Sequence, residues 1–214
     1  MKAIILAAGY GTRFNRDLQN DTSGVFKHLY GIPKPLLPVG NQALISHWMA
    51  AIDKINCIDA VFVITNDLYY VKFEDWAKEF RLVKVLNDGT RSNEERLGAI
   101  ACLQLVITQF NINDNVLVLG GDTLFYEDFS LSGVLAQFAE LQKINCDSNL
   151  VLSYRCKDEV PMLLYILKKY DSFDSKISSR KAEFALGREG CTRQLLMLGP
   201  LKKTSVCSSC MWPI

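Results

Sequence analysis

Residues 2–13 have the sequence Lys2-Ala-Ile-Ile-Leu-Ala-Ala-Gly-Tyr-Gly-Thr-Arg13, and this stretch decides the fold. Its first part, residues 2–7, is a short and almost continuously apolar run, which is typical of a β-strand buried on both faces of a parallel sheet. A glycine-containing loop follows at once. In open α/β sheets, ligands bind beyond the carboxyl ends of the strands. The stretch therefore predicts an α/β protein whose functional loops follow its strands.

Strand-like runs alternate with helix-like stretches through the rest of residues 1–154. Further strands are predicted at 60–65, 82–86, 116–119 and 149–154, and helices at 42–56, 70–80, 94–110 and 132–144. Strands joined by crossover helices form a parallel sheet with helices on both faces. We therefore expect an α/β fold of three α/β/α layers, Rossmann-like, with a mostly parallel sheet.

Composition excludes several classes of protein. The 214 residues are 49% hydrophobic and 22% charged, with a net charge of +1, which is typical of a globular chain and not of a disordered or collagen-like one. The apolar runs are too short to span a bilayer, and no export signal is recognisable, so we expect a cytoplasmic protein without a membrane partner. The balanced charge argues against a nucleic-acid partner.

The seven cysteines are an odd number, scattered and mostly in apolar contexts, which predicts reduced, buried thiols. Cys207 and Cys210 have the spacing of half a zinc site, but no second pair or histidine lies near them in the sequence. A structural zinc ion is therefore not expected.

The loop after the first strand has residues suited to phosphate. Glycines let the backbone N–H groups approach a ligand, and Thr12 and Arg13 add a hydroxyl and a forked cation. No Gly-Lys-Ser/Thr closes a P-loop, and Phe14 stands where a dinucleotide fingerprint has its third glycine, which disfavours a nicotinamide-dependent dehydrogenase. Taken alone, the loop is equally compatible with a plain tight turn.

A second segment has the sequence Pro33-Lys-Pro-Leu-Leu-Pro-Val-Gly40. Prolines on both sides of Lys34 predict a stiff, extended backbone that restricts where its ammonium group can point. In isolation, this segment is most simply an exposed lysine in a proline-rich loop.

Together the two segments resemble the signature of the sugar-1-phosphate nucleotidyltransferases, the nucleoside-diphosphate-sugar pyrophosphorylases. That family has L-A-A-G-x-G-T-R followed by P-K-P-hydrophobic-L-P-V, and the resemblance extends over residues 1 to about 154. It implies that an oxygen of a sugar 1-phosphate attacks the α-phosphate of a nucleoside triphosphate and releases pyrophosphate. Such a reaction needs cations around the triphosphate more than it needs a side-chain nucleophile.

The resemblance also implies roles for individual residues. It places the nucleobase and ribose against Leu6, Ala7, Ala8 and Gly9, the phosphates against Gly11, Thr12 and Arg13, and Lys34 beside the α-phosphate. The Gly120-Gly121-Asp122 sequence matches the metal-binding Gly-Asp of the family, so Asp122 is the expected ligand of Mg²⁺. Asn87 and Gly98 are the expected contacts to the base, although Asn93 and Glu94 also fit an ordinary helix start.

The sequence departs from the family pattern at two places. Nineteen residues separate Arg13 from Pro33, and the polar insert within them, Asn15–Ile32, is either a flap over the nucleotide or a surface loop. Neither the family's Glu-Lys-Pro, whose lysine meets the sugar phosphate, nor its second metal-binding aspartate is recognisable. We therefore divide the chain into a nucleotide-binding domain (1–154), a remnant of the sugar-binding half (155–186) and an atypical, poorly ordered tail (187–214).

Two hypotheses follow from this pattern. In the first, the chain is a Mg²⁺-dependent nucleotidyltransferase that acts on a sugar 1-phosphate or a similar phosphorylated acceptor. In the second, it is a catalytically impaired relative that binds nucleotide, or a full-length sibling, as a regulatory subunit. The loop signature favours nucleotide binding under both. Loss of the sugar-binding half would also expose a sheet edge and apolar surface, which favours aggregation, a homo-oligomer or pairing with a full-length sibling.

Overall fold

A computed structural model describes residues 1–125, 129–155, 163–167 and 192–200. Its elements, in chain order, are β1 (Lys2–Leu6), α1 (Thr12–Gln19), β2 (Pro38–Val39), β3 (Gln42–Ala43), α2 (Leu44–Ile52), β4 (Ala60–Thr65), α3 (Tyr70–Ala77), β5 (Val83–Asn87), α4 (Ala99–Gln109), β6 (Asn115–Gly120), α5 (Leu131–Ile144), β7 (Asn149–Arg155), β8 (Leu163–Leu167) and β9 (Thr192–Pro200). Short 3₁₀ turns form at Lys27–Leu29 and Lys34–Leu36.

The central sheet has the strand order β5-β4-β1-β6-β9-β7-β8. The first four of these strands are mutually parallel, whereas β9 and β8 pair antiparallel with their neighbours. Five of these seven described strands therefore point in one direction, which confirms the expected mostly parallel sheet. The two-residue strands β2 and β3 form a separate antiparallel pair.

Residues of β1 alternate between two apolar cores. Ala3 and Ile5 pack into a core that also contains Trp48 of α2, Phe73 of α3 and Phe138 of α5. Ile4 faces the opposite side of the sheet, where a second core includes Cys102 and Val106 of α4. Because a strand's side chains point alternately to the two faces, helices cover both faces of the sheet, and the three-layer α/β/α fold is confirmed.

Helix α4 begins later than the sequence pattern predicts. The expected start near Asn93 and Glu94 is wrong, since the helix begins at Ala99, after Gly98, whose φ of 82° is outside the helical range. The carboxylate of Glu95 instead accepts from the backbone N–H of Arg91 at 2.9 Å. Side-chain bonds of this kind hold a segment as an ordered loop in place of a helical turn.

The insert between Arg13 and Pro33 is partly helical. Its first residues belong to α1, and Lys27 and His28 lie exposed on the 3₁₀ turn. Lys34 also lies in a 3₁₀ turn, so the expected extended backbone is confined to the flanking Pro33 and Leu37.

Strand β9 lies within the segment that the sequence analysis assigns to a poorly ordered tail. It contains the apolar run Leu195-Leu-Met-Leu198 and pairs with both β6 and β7. The rest of the segment 187–214 lies outside the described residues, as does most of the segment 155–186.

Three cysteines lie in the described part of the chain, and all three are free thiols. Cys102 is buried, whereas Cys57 and Cys146 are exposed, so the expectation of buried thiols is wrong for these two. Of the helices in the described residues, none has both the length and the apolar character required to cross a bilayer.

Candidate functional site

The carboxyl ends of four parallel strands meet at one edge of the sheet. Leu6 of β1 lies beside Ile64 of β4 and Gly120 of β6, and Thr65 lies beside Asn87 of β5. The loops that follow these strands therefore converge on one place. Between them lies a cleft of about 330 Å³.

The cleft brings together most of the residues that the sequence analysis predicts for the site. Those that line it are Leu6, Ala7, Ala8, Gly9, Gly11, Lys34, Gly98 and Asp122. No residue of the insert at 15–32 lines the cleft, so the described structure does not place a flap over it. Thr12, Arg13 and Asn87 are not among the residues that line it.

The glycine-containing loop is fixed by side chains from two other loops. The amide of Asn66, just after β4, donates from Nδ2 to the carbonyl oxygen of Ala8 at 3.0 Å. The hydroxyl of Tyr10 is buried and donates to Thr90 Oγ1, in the loop after β5, at 2.8 Å. Burial raises the pKa of the Tyr10 hydroxyl above its ordinary value, while the bond to Thr90 acts in the opposite direction. The loop is thus held in place before any ligand binds.

Helix α1 starts at the end of this loop. Gly11 caps the helix with a φ of 61°, in the left-handed region that favours glycine. It has no side chain to accept from the first N–H groups of the helix, which have no partners within the helix either. Thr12 and Arg13 form the first turn, are exposed, and present these groups together with a hydroxyl and a guanidinium. Such a helix N-terminus attracts anions.

Lys34 contributes a second cation. The buried residues Pro33 and Pro35 fix the turn on which it lies. A Cβ at Gly11 would lie 4.0 Å from Lys34 Cγ, so the stem of the lysine passes beside the cap of α1. Within the described residues, neither Lys34 nor Arg13 forms an ion pair. Both cations are therefore free to bind an anionic ligand.

Asp122 contributes the carboxylate of the site. It follows β6 in a turn that packs tightly against β1, and the backbone N–H of Gly121 donates to the carbonyl of Leu6 at 2.9 Å. The indole Nε1 of Trp48 holds the far side of the turn through the carbonyl of Thr123, also at 2.9 Å. Asp122 is exposed and accepts no hydrogen bond from the described residues. Its carboxylate is therefore held in place by its backbone and is free to bind.

The opposite wall of the cleft contains a carboxylate that the sequence analysis does not single out. Asp88 Oδ1 accepts from the backbone N–H of Thr90 at 2.8 Å and from its hydroxyl at 2.7 Å. Its other oxygen, Oδ2, lies 3.9 Å from Cys102 Sγ. Burial, together with this carboxylate, raises the pKa of the Cys102 thiol to about 12.

Asn87, the expected base contact, points away from this wall. Its Nδ2 donates to Asp67 Oδ1 at 2.6 Å, and its Oδ1 accepts from the backbone N–H of Gly89 at 2.9 Å. Asp88, the next residue, lines the cleft instead. Successive side chains of a strand point to opposite faces, so the signal that could have found Asp88 is its position one residue beyond Asn87. Nothing local in the sequence predicts Cys102, which enters from α4.

The chain is similar in fold to three solved structures of nucleotidyltransferases. Apo UDP-glucose pyrophosphorylase has 18% identity and a TM-score of 0.51, over 73% of this chain and 59% of that chain. The inositol-1-phosphate CTP transferase from T. maritima has 15% identity and a TM-score of 0.54, over 93% and 70%. A protein assigned as a glucose-1-phosphate thymidylyltransferase from Bacillus anthracis, in complex with sucrose, has 19% identity and a TM-score of 0.54, over 94% and 71%.

At these identities the structures establish the fold and no more, and no curated protein matches the chain. The chain spans less than two thirds of the UDP-glucose pyrophosphorylase. The MobA-like NTP transferase domain family matches residues 3–173, which include the glycine-containing loop, Lys34, Asp88 and Asp122. This match covers well over half of the sequence, and the chain therefore belongs to the MobA-like NTP transferase domain family.

Proposed function

We propose that this chain transfers a nucleoside monophosphate from a nucleoside triphosphate to a sugar 1-phosphate or a similar phosphorylated acceptor. The observation that carries the proposal is the composition of the cleft. Lys34, the Gly11 cap of α1 and Asp122 all line it, and no ion pair within the described residues neutralises Lys34 or Asp122.

The reaction joins an oxygen of the acceptor's phosphate to the α-phosphorus of the triphosphate. The bond between the α-phosphorus and the bridging oxygen to the β-phosphate breaks, and pyrophosphate leaves with the electron pair of that bond. No proton transfer is required when the attacking phosphate oxygen is already ionised. Lys34, Arg13 and the N–H groups of α1 would stabilise the negative charge on the phosphates and hold the reacting groups in line.

The residues present fit a magnesium ion that is shared with the nucleotide. Mg²⁺ is usually bound by one or two carboxylates together with substrate phosphates and water. Asp122 is such a carboxylate, while the described residues contain no cluster of three or more histidine, cysteine, aspartate or glutamate side chains that would bind a metal ion unaided. When bound, the ion would neutralise phosphate charge. Asp122 would hold it, and Lys34 would add a second positive charge beside the phosphates.

The wall formed by Asp88 favours a base with an amino group. A carboxylate accepts hydrogen bonds and does not donate them. The two bonds from Thr90 occupy Oδ1, so the oxygen left to accept from a ligand is Oδ2, which has only the long contact with Cys102 Sγ. Guanine, cytosine and adenine can each donate an exocyclic N–H to this oxygen, whereas uracil and thymine offer one ring N–H between two carbonyl oxygens.

A second candidate function is nucleotide binding without turnover. It is favoured by the sequence, which contains no Glu-Lys-Pro tripeptide and no recognisable second metal-binding aspartate. Under this proposal residues 1–154 keep the nucleotide-binding domain, 155–186 are a remnant of the sugar-binding half, and 187–214 are an atypical tail. The chain would then regulate a full-length sibling. A cytoplasmic location and a homo-oligomeric state stay predictions under both candidates.

Thermal unfolding with a panel of nucleoside triphosphates, with and without Mg²⁺, tests the proposal. Saturating ligand at a hundred times its dissociation constant adds about 2.7 kcal/mol to the free energy of unfolding. We expect stabilisation by one triphosphate that is stronger with Mg²⁺. The Mg²⁺ increment should vanish in Asp122→Asn and persist in Asp53→Asn, an exposed aspartate beyond α2.

Turnover then separates the two candidates. Release of pyrophosphate that depends on an added sugar 1-phosphate supports the transferase. Stabilisation by nucleotide without any pyrophosphate release from a panel of phosphorylated acceptors supports the binding protein. Absence of stabilisation by every triphosphate, in a folded sample, would contradict both.

A further inference from the structure

A second cavity lies beside the glycine-containing loop. It has a volume of about 370 Å³ and is lined by Asn15, Tyr30, Gly31, Leu68, Tyr69 and Lys72. These residues come from α1, from the end of the insert, and from the loop between β4 and α3 with the first turn of α3. None of them lines the nucleotide cleft, so the two cavities are separate.

The lining of this second cavity combines apolar surface with an unpaired cation. Tyr30 and Leu68 are each 59% exposed, so both leave apolar surface open to a ligand. Lys72 forms no ion pair within the described residues. A flat apolar body would cover the two side chains, and an anionic group would pair with the lysine. Such a lining fits a small organic anion.

Two residues that line this cavity also form hydrogen bonds to the glycine-containing loop. The carbonyl oxygen of Tyr10 accepts from Asn15 Nδ2 at 3.3 Å and from the hydroxyl of Tyr69 at 3.4 Å. Asn15 Nδ2 also lies 3.5 Å from the Tyr69 hydroxyl oxygen. All three contacts are long for hydrogen bonds, and Asn15 Oδ1 is shielded from solvent without a partner within the described residues. The arrangement therefore offers little resistance to a shift of Asn15, whereas Tyr69 is buried in the main core and fixed there.

Tyr10 connects this arrangement to the cleft. It lines the cleft, and it stands between Gly9 and Gly11, which line the cleft too. A ligand that displaces Asn15 would remove one of the two bonds to the Tyr10 carbonyl. It would thereby act on the loop that the nucleotide contacts, which the bonds from Asn66 and to Thr90 otherwise hold in place.

We propose that the second cavity is a regulatory site that binds a small organic anion with a flat apolar body and, through Tyr10, alters the affinity for nucleotide. The coupling part rests on the proposed nucleotide-binding function, whereas the binding part does not. Because coupling between two sites is reciprocal, nucleotide changes the affinity for the anion by the same factor.

Fluorescence titration with naphthalene-2-carboxylate tests the binding part, since this probe has the required flat body and charge and is itself fluorescent. We expect saturable binding that weakens about two- to fivefold in Lys72→Gln, as for loss of one exposed ion pair. Binding should be lost in Leu68→Asp, because the new carboxylate repels the carboxylate of the probe. Since Leu68 is exposed, we expect this variant to fold. Lys54→Gln, at an exposed lysine outside the cavity, should bind as the unchanged protein does. Naphthalene-2-carboxamide, which lacks the charge, should bind more weakly than the carboxylate.

The coupling part is measured by repeating the titration in the presence of a saturating non-hydrolysable triphosphate. We expect the probe's dissociation constant to change about fivefold, and the change to shrink in Tyr69→Phe, which keeps the ring and removes the hydroxyl. Absence of probe binding, or binding that Lys72→Gln and Leu68→Asp leave unchanged, overturns the site. Binding that is the same with and without bound triphosphate overturns the regulation. If no triphosphate binds at all, the proposed function fails, while the titrations without nucleotide still decide whether the site exists.

Discussion

The backbone N–H of Gly121 donates to the carbonyl oxygen of Leu6 at 2.9 Å, and this contact joins the two loops that carry the candidate chemistry. Leu6 ends the strand before the glycine-containing loop, and Gly121 precedes Asp122. A Cβ placed on Gly121 would lie 3.0 Å from the Leu6 oxygen, 3.2 Å from Pro35 Cγ and 3.3 Å from the Ala7 Cβ. The turn that carries Asp122, the 3₁₀ turn that carries Lys34 and the start of the glycine-containing loop thus meet at Gly121.

The substitution Gly121→Ala should therefore destabilise the protein. Because backbone surrounds the new methyl group on one side and a fixed proline on the other, neither neighbour can move cheaply, and we expect a loss of about 1–3 kcal/mol in the free energy of unfolding. Urea denaturation measures this loss. Gly9→Ala is the matched control, since a Cβ there meets no atom within 4 Å and should change stability by only about 0.5 kcal/mol. Equal stability of the two variants would contradict the tight contact.

The strands and the residues at their carboxyl ends could be predicted from the sequence. Continuous apolar runs such as Val116–Leu119 are a strong local signal, and the observed strand differs by one residue at each end. Parallel pairing then forces Leu6 beside Gly120, so the glycine-containing loop and Asp122 had to lie together. This is why a local pattern was enough to predict one wall of the cleft.

The other wall combines local bonds with contacts between distant residues. Asp88 is held by Thr90, two residues later, and its place in the wall follows from its position next to Asn87. Tyr10 and Thr90, in contrast, are 80 residues apart, and their bond forms only once β1 and β5 belong to the same sheet. Cys102 enters the cleft because α4 begins after Gly98, and the sequence favoured an earlier start. Helix α1 is not predicted from the sequence. Its N-cap, Gly11, has a left-handed backbone and no side chain, so no capping side chain marks the start of the helix.

Replacement of Arg13 tests the phosphate-binding role of α1. The guanidinium is exposed on the first turn and has no partner within the described residues, so Arg13→Ala should leave stability nearly unchanged. Loss of one charge-assisted bond should weaken triphosphate binding by about 1.5–3 kcal/mol, measured by calorimetry. Arg16→Ala is the matched control, because Arg16 lies one turn later on the same helix and contacts Asp17 at 3.4 Å. If both variants bind triphosphate as the unchanged protein does, Arg13 does not contact phosphate.

Replacement of Asp88 tests the proposed preference for an amino-bearing base. Asp88→Asn removes the charge of the acceptor and should weaken binding of the preferred triphosphate by roughly tenfold, the equivalent of about 1.4 kcal/mol. Binding of uridine triphosphate should weaken less, because uracil has no exocyclic amino group that could donate a hydrogen bond to Asp88. Competition titrations with the four common triphosphates measure the change in selectivity, with Asp53→Asn as the control. A uniform loss for all four bases would show that Asp88 acts on the shape of the cleft and does not read the base.

Alkaline pH tests the environment of the cleft through Cys102. Its thiol has a pKa of about 12 in the folded protein, against 9.0 for an ordinary cysteine, because burial and the Asp88 carboxylate disfavour the thiolate. Between these two values the unfolded chain loses a proton that the folded protein keeps, so the thiol's contribution to stability is complete below pH 9 and declines above it. We expect Cys102→Ala to lose less stability than the unchanged protein between pH 9 and 10.5, by up to about 1.4 kcal/mol per pH unit.

Cys57→Ala, at an exposed thiol, should follow the unchanged protein. Urea denaturation at a series of pH values gives the three slopes, and a slope for Cys102→Ala equal to the other two would mean that the thiol is not held protonated beside Asp88.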